Sequence, residues 1–584
     1  MKYSDLLAAW LKELGYTHCF SVAGGNIMHL MESCSRAFTL IPVIHEVAAG
    51  IAVEYFNEVH ASKKAFALVT TGPGLTNTIT AIAGGYLESR ELLVIGGQVK
   101  VADLSRGHLR QRGFQEIDGV TLCKSITVQS TQLDEVVDRA EFARRVSCAP
   151  GLRKGSIFLE IPLDIQARTV DREALDTKVA VASAVAPEPG VTAEIAAALR
   201  NAERPLLLLG AGVSRETAWS LDAALERSGI PLMTSWTGAD RVSSRHKLYF
   251  GRPNHFGQRA ANILIQQADL VVALGTRLGI QLTGYNWWEF VPRGKIIQID
   301  LDGAELSKGH PKIERGVVAD ANIVLRGLTG MDVGEHGEWV DFCESVRGML
   351  PVVENNNQTR PGYISPYAFI DRLSALCTAE DVFIPCSSGS AFTVTFQTFR
   401  QQFRQTMVTS KGLASMGYGL SGAIGAAFAA EGRRTILVEG DGGFTQNLQE
   451  LGTVAANRLN LKIFLFDDDG YASIRMTQSS YFGGRYVGCD TATGLGMPNW
   501  NLLFAAYGIP LQEIRVGFET TVSFQSAFDA IGPAAFLVKI DPKQTYHPRI
   551  ASRVTADGSM ESNPLHLMSP PLDEETAARV FKYL

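Results

Sequence analysis

Two acidic turns stand out in the C-terminal half of the chain, because each follows a short run of aliphatic residues. The first turn, GDGG at 440–443, follows a predicted strand at 435–439 and precedes a predicted helix at 447–458. The second turn, DDDG at 467–470, follows a predicted strand at 462–466. Aliphatic runs without alternation are typical of strands that are buried on both faces of a parallel sheet.

Acidic side chains at these two places could bind a metal ion together. Parallel α/β sheets bind ligands at the carboxyl ends of their strands, so Asp441 and the 467–469 run are predicted to lie side by side. Carboxylate oxygens suit Mg²⁺ or Ca²⁺. Gly442 and Gly443 leave N–H groups open at a helix start, where a diphosphate could bind. The alternative for each turn is a solvated sheet edge with no ligand.

A third candidate is Glu46, which lies where a predicted strand passes into a helix within 41–56. Small apolar residues surround it, and such a setting would raise the pKa of the carboxyl group and favour proton transfer. The alternative is an ordinary first-turn glutamate that the helix dipole favours. The residues alone leave both possibilities open.

The elements that must position these residues form a repeated pattern of buried strands and helices. Further strand-like runs and one helical run support several βαβ units; the strands are 65–71, 91–97, 205–212, 270–276 and 295–302, and the helix is 213–228. Segments 167–190 and 351–366 are predicted linkers. The predicted fold is α/β, with three doubly wound parallel-sheet domains at 1–170, 190–345 and 360–545 and a tail at 546–584.

Composition excludes several classes of protein. Lys and Arg number 54 and Asp and Glu 60, a net charge of −6 without a basic run, which argues against a nucleic-acid or anionic-membrane binder. No signal peptide or membrane-length apolar run is recognisable. The eight cysteines have no metal-binding spacing and are predicted to be reduced, which favours a cytoplasmic location. The 56 glycines exceed ordinary usage, and eighteen of them, Gly422 and Gly425 included, are predicted to mark cofactor contacts.

GDG followed by a polar pair about 27 residues later resembles the thiamine-diphosphate motif of the pyruvate decarboxylase and acetohydroxyacid synthase superfamily. The resemblance implies a metal ion, Mg²⁺, held by Asp441, Asp468 and the Gly470 carbonyl, within a pyrimidine-binding, middle and diphosphate-binding domain order. It also implies that Glu46 is the carboxyl that hydrogen-bonds N1′ of the aminopyrimidine. One departure is clear: the family usually has Asn-Asn where this chain has Asp467-Asp468, and the extra charge should favour the metal and repel the diphosphate.

Other segments resemble the same family and imply further cofactor contacts. TTGPGLTN at 70–77 resembles the loop beside the pyrimidine, KGLASMGYG at 411–419 the segment that supports the bent cofactor, and SSGSA at 387–391 a second diphosphate loop. Ala414 stands where glycine is usual. The implied contacts are Thr71, Gly72, Pro73, Asn77, Gly389, Ser390, Ala414 and Met416.

The resemblance is greatest to the acetohydroxyacid synthases. AGGNIM at 23–28 and GFQE at 113–116 resemble segments of that group, which implies that Gly25, Asn26, Phe114 and Gln115 lie beside the reacting carbon. The proton donors of the non-oxidative decarboxylases are missing, since Gly25 and Ile474 stand at two of those positions and no His-His pair is present. We therefore expect carbon–carbon ligation rather than aldehyde release.

The middle domain also resembles that group, in which it binds FAD. The implied contacts are Gly210, Gly212, Arg277 and Asp300, and His255 and Phe256 are candidates to touch the flavin. GAGVSR at 210–215 is only a partial dinucleotide fingerprint, because Arg215 replaces its third glycine. An ordinary loop role for His255 and Phe256 remains an alternative.

The expected activity is decarboxylation of a 2-oxo acid, pyruvate, with transfer of the two-carbon unit to a carbonyl acceptor. Segment 474–503 resembles carboligases of bacterial branched-sugar polysaccharide pathways, which implies a nucleotide-linked ketosugar as acceptor. The alternatives are an acetolactate synthase with a second pyruvate, a flavin-dependent pyruvate oxidase, and a cofactor-binding scaffold without activity. The resemblance also implies a homodimer or homotetramer with active sites between subunits.

Overall fold

The computed structural model describes residues 1–148, 153–179, 184–555 and 557–584. The chain divides into two compact units. The first comprises Met1–Ala182, Asp381–Gly389 and Val408–Lys539, and the second comprises Ser183–Glu380, Ser390–Met407 and Ile540–Leu584. Part of the predicted linker 167–190, residues 180–183, lies outside the described residues. Three parallel-sheet α/β domains follow one another along the chain, so the predicted fold class is confirmed.

The N-terminal domain is a six-stranded sheet in the order β2-β1-β3-β4-β6-β5, and every adjacent pair is parallel. Its strands are β1 (Tyr16–Ser21), β2 (Thr39–Pro42), β3 (Lys64–Val69), β4 (Leu92–Gln98), β5 (Gln129–Gln132) and β6 (Ser156–Pro162). Its helices are α1 (Tyr3–Glu13), α2 (Met28–Ala37), α3 (Glu46–Val59), α4 (Pro73–Leu87), α5 (Gly119–Cys123), α6 (Arg139–Val146), α7 (Leu163–Ala167) and α8 (Arg172–Leu175).

The middle domain is a five-stranded parallel sheet in the order β11-β10-β9-β7-β8. Its strands are β7 (Pro205–Leu209), β8 (Leu232–Thr234), β9 (Leu270–Leu274), β10 (Lys295–Asp300) and β11 (Arg315–Val318). The helices from here to the third sheet are α9 (Val191–Asn201), α10 (Arg215–Ser220), α11 (Asp222–Arg227), α12 (Arg259–Gln267), α13 (Gly303–Ser307), α14 (Ala321–Leu328), α15 (Gly337–Met349), α16 (Pro366–Leu376) and α17 (Gly389–Thr398).

The C-terminal domain contains strands β12 (Val382–Ile384), β13 (Thr406–Met407), β14 (Thr435–Gly440), β15 (Leu461–Asp467), β16 (Leu511–Ile514) and β17 (Ala534–Lys539). Its helices are α18 (Tyr418–Ala429), α19 (Asp441–Phe444), α20 (Leu451–Ala456), α21 (Ala472–Tyr481), α22 (Trp500–Ala506) and α23 (Val522–Asp529). The tail adds antiparallel pairs β18 (Arg549–Ile550) with β21 (Met568–Ser569) and β19 (Ser552–Val554) with β20 (Met560–Ser562), and then α24 (Glu574–Val580).

The three sheets share one strand order at their centres. In the first unit, β12-β14-β15-β17-β16 repeats the order β1-β3-β4-β6-β5, and the middle sheet has β7 beside β9 in the same way. In each sheet the second strand of the chain lies on one side of the first and the third strand on the other side. Such switch points open a crevice at the carboxyl ends of the strands. The GDGG turn begins at the last residue of β14, and the turns at 210–212 and 70–74 follow β7 and β3.

Two helices with small residues pack closely in the core of the first unit. A Cβ atom on Gly425 of α18 would lie 1.9 Å from the Ala52 carbonyl oxygen of α3, and one on Gly422 would lie 2.6 Å from the Tyr55 ring. These glycines let two helices meet at backbone distance. The interpretation of the glycine excess as cofactor contacts is therefore wrong for these two positions.

Among the described residues, no helix combines the length and the apolar composition that a membrane crossing requires.

Candidate active site

The two acidic turns meet, as the sequence predicts. Strands β14 and β15 pair in parallel, with Gly440 opposite Phe466, so Asp441 and Asp468 follow adjacent strand ends. The Asp441 carboxylate accepts hydrogen bonds from the backbone N–H groups of Gly442 at 2.6 Å, Asp468 at 3.2 Å and Gly470 at 3.1 Å.

Burial makes this carboxyl pair electrostatically costly. Burial and the charges of Asp468 and Asp467 raise the pKa of Asp441 well above its ordinary value, although N–H donors oppose the shift. Burial likewise raises the pKa of Asp468, against the effect of Arg475. Glu439, just before the turn, is also buried, and burial raises its pKa to about 8 although the nearby backbone N–H groups of Leu420 and Gly419 act to lower it. A cation between Asp441 and Asp468 would relieve their repulsion.

Basic side chains oppose the added charge of the second turn. Lys539 of β17 pairs with Asp467. Arg475 of α21 is only 4% exposed, and its guanidinium lies 3.3 Å from Asp468 Oδ1. It also donates to the backbone carbonyls of Asp468 and, at 2.7 Å, Asp469. Neither basic partner is predictable from the sequence pattern, because each is identified only by its position in the folded chain.

The second turn requires glycine at its last position. Gly470 has φ of +114°, and a Cβ atom there would lie 2.6 Å from the Cys489 carbonyl oxygen. The chain returns to this contact after an exposed excursion, 482–488, which carries Phe482, Tyr486 and Val487. Gln478 closes its base: its Nε2 donates to the Val487 carbonyl at 3.1 Å, and its Oε1 accepts from the Val487 N–H at 2.9 Å.

Glu46 begins α3, as predicted, and is half-buried. Its carboxylate accepts a hydrogen bond from Asn77 Nδ2 at 2.9 Å, which joins two residues that the sequence proposed separately. The Glu450 carboxylate accepts from the backbone N–H groups of Ile44 at 3.1 Å and His45 at 2.9 Å. These bonds fix the backbone that leads into Glu46.

Buried hydrogen bonds hold the loop after β3 in place. Thr71 is buried, and its hydroxyl donates to Gln98 Oε1 at 3.0 Å; Gln98 Nε2 donates in turn to the Ile117 carbonyl at 3.0 Å. Gly72 has φ of +63°, and a Cβ atom there would lie 2.4 Å from the Gln115 carbonyl oxygen. Pro73 is the first residue of α4. The loop containing Thr71 and Gly72 is thus held against the loop containing Gln115.

Phe114 is the outward-facing residue of the GFQE segment. Phe114 is 82% exposed, and Gln115 has φ of +64°. The buried Glu116 accepts backbone hydrogen bonds from Arg112 at 2.8 Å and Gly113 at 3.0 Å, which hold its pKa below the ordinary value although burial opposes them. The turn with Phe114 at its tip is therefore preformed.

Gly25 and Asn26 lie in a 3₁₀ turn after β1. Gly25 is exposed, with no atom within 4 Å of a Cβ built on it. The Asn26 carbonyl accepts from Gln166 Nε2 at 2.8 Å and would lie 2.3 Å from a Cβ atom on Gly97 of β4. Only the backbone position of Asn26 is thus fixed by these contacts.

Segment 409–418 carries Ala414 and Met416, both exposed. Ala414 has φ of +55°, a left-handed conformation that glycine adopts more readily. This geometry explains why a glycine would be usual at the position.

A buried ionic network holds the ends of this segment. Arg90 donates to Glu54 Oε1 and to the Thr409 carbonyl, each at 2.7 Å, and the Tyr418 hydroxyl donates to Glu54 Oε2 at 2.9 Å. Glu88 accepts from the Lys411 and Gly412 N–H groups.

In the second unit, the four residues proposed for FAD follow strands at one edge of the middle sheet. Gly210 follows β7, Arg277 follows β9 and Asp300 ends β10. Cβ atoms on Gly210 and Gly212 would collide with Gly275, at 2.2 Å from its carbonyl oxygen and 2.7 Å from its Cα. Packing between two turns therefore accounts for both glycines without a ligand.

The remaining residues proposed for cofactor binding lie elsewhere. His255 and Phe256 contact each other edge to face, with ring centroids 4.7 Å apart. Gly389 has φ of +82° and open space at its Cβ position, whereas Ser390 is buried. These two residues fall in different compact units.

Comparison with known proteins agrees with this geometry. Family models of the thiamine pyrophosphate enzymes match the N-terminal TPP binding domain at residues 1–122, the central domain at 192–328 and the C-terminal TPP binding domain at 387–538. The chain belongs to the thiamine pyrophosphate enzyme family. Thiamine diphosphate is another name for this cofactor, and both outer domains of the chain are of the type that binds it.

Within the thiamine pyrophosphate enzymes, the chain is similar to acetolactate synthases along nearly its whole length. It is 27% identical to the Escherichia coli (strain K12) acetolactate synthase isozyme 1 large subunit, over 94% of this chain and 95% of that protein. It is 28% identical to isozyme 2 of the same organism, over 92% and 96%. A probable acetolactate synthase large subunit of Methanocaldococcus jannaschii is 27% identical, over 93% of each.

Proposed function

We propose that the protein binds thiamine diphosphate with Mg²⁺, decarboxylates pyruvate and transfers the two-carbon unit to the carbonyl group of a second 2-oxo acid. Similarity to acetolactate synthases over nearly the whole of both chains carries this proposal. The reaction is a carbon–carbon ligation by a transferase.

The residues of the acidic turns fit a metal ion. Asp441 and Asp468 offer carboxylate oxygens in a buried position where their charges repel, and Gly470 would add a backbone carbonyl. Among the described residues, no group of three His, Cys, Asp or Glu side chains converges on one point, so two carboxylates need such a carbonyl ligand. Gly442 and Gly443 would hold the diphosphate.

Glu46 would hold the proton that activates the cofactor. Asn77 Nδ2 donates to one carboxylate oxygen at 2.9 Å and leaves the other available for N1′ of the aminopyrimidine. Thr71, Gly72 and Pro73 would line the pyrimidine, with Ala414, Met416, Gly389 and Ser390 as further contacts. Thiamine diphosphate, when bound, supplies the electron sink for loss of CO₂.

The residues around the acceptor favour ligation over protonation. Gly25 and Ile474 carry no proton donor, and Ile474 is half exposed at the start of α21. Phe114 would exclude water from the reacting carbon, while Gln115 and Asn26 would orient the acceptor carbonyl. The homodimer or homotetramer with shared active sites stays a prediction, as do the cytoplasmic location and the domain limits at 170, 190, 345, 360 and 545.

Two finer predictions have less support. The acetolactate synthase relatives give no support to a nucleotide-linked ketosugar acceptor or to a branched-sugar pathway. FAD at Gly210, Gly212, Arg277 and Asp300 also stays a prediction, because packing already explains both glycines. The visible flavin absorbance of the purified protein, released on denaturation, tests FAD directly.

The decisive experiment analyses products by mass spectrometry after labelled pyruvate is offered with 2-oxo acids, aldehydes and nucleotide ketosugars, with Mg²⁺ and thiamine diphosphate present. Acetolactate or its homologues would support the proposal. A branched sugar would instead support the ketosugar prediction. Oxygen uptake coupled to turnover would indicate the oxidase, and failure of the protein to bind thiamine diphosphate would overturn every thiamine-dependent alternative.

A further inference from the structure

Aspartate at 468 creates a charge problem within the proposed site. Asp441, Asp467 and Asp468 crowd the ends of two adjacent strands, and Asp441 and Asp468 are almost wholly buried. One Mg²⁺ neutralises two of these charges, and an incoming diphosphate brings at least two more negative charges. An uncompensated buried carboxylate at this place would therefore oppose the cofactor.

Arg475 is placed to provide the missing positive charge. It lies at the fourth residue of α21, seven residues after Asp468, and its side chain turns back toward the turn that precedes the helix. Its guanidinium contacts the Asp468 carboxylate at 3.3 Å and also binds the carbonyls of Asp468 and Asp469. The planar fork of an arginine can make these contacts together, whereas a lysine ammonium would keep only the positive charge.

The neighbouring cation, Lys539, has a different environment. It pairs with Asp467, and its side chain is 42% exposed, so water screens this pair. Arg475, at 4% exposure, is shielded from solvent. Lys539 therefore serves as a control for Arg475. It carries the same positive charge and pairs with the neighbouring aspartate, Asp467, but it is in contact with water.

We propose that Arg475 is a positioning residue that provides the counter-charge of Asp468, and so allows a site with aspartate at this position to accept an anionic diphosphate. The inference rests on the proposed binding of Mg²⁺ and thiamine diphosphate. It assigns Arg475 no contact with the substrate.

The test measures two affinities by calorimetry on the full chain: that of Mg²⁺ alone, and that of thiamine diphosphate at saturating Mg²⁺. In Arg475→Gln, the uncompensated Asp468 should bind Mg²⁺ severalfold more tightly and thiamine diphosphate about thirtyfold more weakly. A loss of structure alone would weaken both. Lys539→Met should change either affinity less than about threefold.

Asp468→Asn provides the second arm, because it removes the charge that Arg475 compensates. The double variant Asp468→Asn/Arg475→Gln should bind thiamine diphosphate within about threefold of Asp468→Asn. Arg475→Lys should retain most of the diphosphate affinity; if Arg475→Gln does not fold by circular dichroism, the same comparison is made with Arg475→Met, alone and with Asp468→Asn.

If Arg475→Gln weakens thiamine diphosphate binding by the same factor in the wild-type chain and in Asp468→Asn, the inference is overturned and the proposed function is left intact. A wild-type chain that binds no thiamine diphosphate with Mg²⁺ would overturn both.

Discussion

Replacing Arg90 with Met should destabilise the first unit in a way that depends on pH. The substitution removes two hydrogen bonds of 2.7 Å that Arg90 donates, one to Glu54 and one to the Thr409 carbonyl. Glu54 is wholly buried, and burial raises its pKa to about 7 even with Arg90 beside it. Without Arg90, the pKa of Glu54 should rise further, because its principal opposite charge is gone.

The magnitude follows from the buried ion pair. Removing one partner from such a pair costs about 3–5 kcal/mol, because the other charge is left without compensation. Near pH 5 Glu54 is protonated in the folded protein, so the cost should fall to that of a lost hydrogen bond and some packing, about 1–2 kcal/mol. The direction of this pH dependence follows from proton linkage. When folding raises the pKa of a carboxyl group, the free energy of unfolding decreases as pH rises from the unfolded-state pKa through the folded-state pKa.

The assay is urea denaturation at pH 5 and pH 8, together with hydrogen exchange of the 409–418 amides. Exchange in this segment should accelerate in Arg90→Met at pH 8, because the Thr409 carbonyl loses its donor. Glu54→Gln/Arg90→Met removes both charges and should be more stable at pH 8 than Arg90→Met alone. An identical cost at the two pH values would refute the argument from charge.

Three further changes test separate features. Gly425→Ala should lower the free energy of unfolding by about 3 kcal/mol or more, because its Cβ would lie 1.9 Å from the Ala52 carbonyl oxygen. The control, Gly348→Ala, has open space at its Cβ position and should be neutral or stabilising. Equal effects of the two substitutions in denaturation experiments would contradict the close packing. Glu160→Gln should flatten the decline in unfolding free energy between about pH 4.5 and 8, since burial raises the Glu160 pKa to about 8, and parallel pH curves would count against this. Glu46→Gln should bind thiamine diphosphate within about threefold of wild type in calorimetry yet lose most turnover, and an unchanged rate would exclude its proposed role.

The strands were predictable because their signal is local. The aliphatic run predicted as a strand at 462–466 forms Leu461–Asp467, and that at 435–439 forms Thr435–Gly440. Since both belong to a parallel sheet, the meeting of Asp441 with Asp468 followed from the pattern alone. Glu46 was likewise predicted at a helix start.

Helix continuity was less predictable, because distant contacts decide it. The predicted helix 213–228 is broken at Leu221, and the predicted helix 447–458 begins with a 3₁₀ segment in which Asn447 leaves helical geometry. Asn447 Nδ2 donates to the Gly417 carbonyl at 2.7 Å, thirty residues away in sequence. No local pattern encodes such a bond.

The charged partners were missed for the same reason. Glu54 meets Tyr418 across 364 residues, and Lys539 meets Asp467 across 72. A single arginine or glutamate in a helix most often lies on a solvated face, so composition gave no reason to place Glu54 and Arg90 in the core. Only the folded arrangement of α3, α18 and the turn after α4 brings these charges together.

The excursion at 482–488 has an evolutionary consequence. The Gln478 side chain joins Val487, near the far end of the excursion, to α21, and Gly470 packs against Cys489 just beyond it. The exposed residues between these anchors can therefore vary in identity, and even in number, without moving the turn that carries Asp468. Exchange of this short segment in evolution could therefore give the protein a new surface beside the acidic turn while the position of that turn stayed the same.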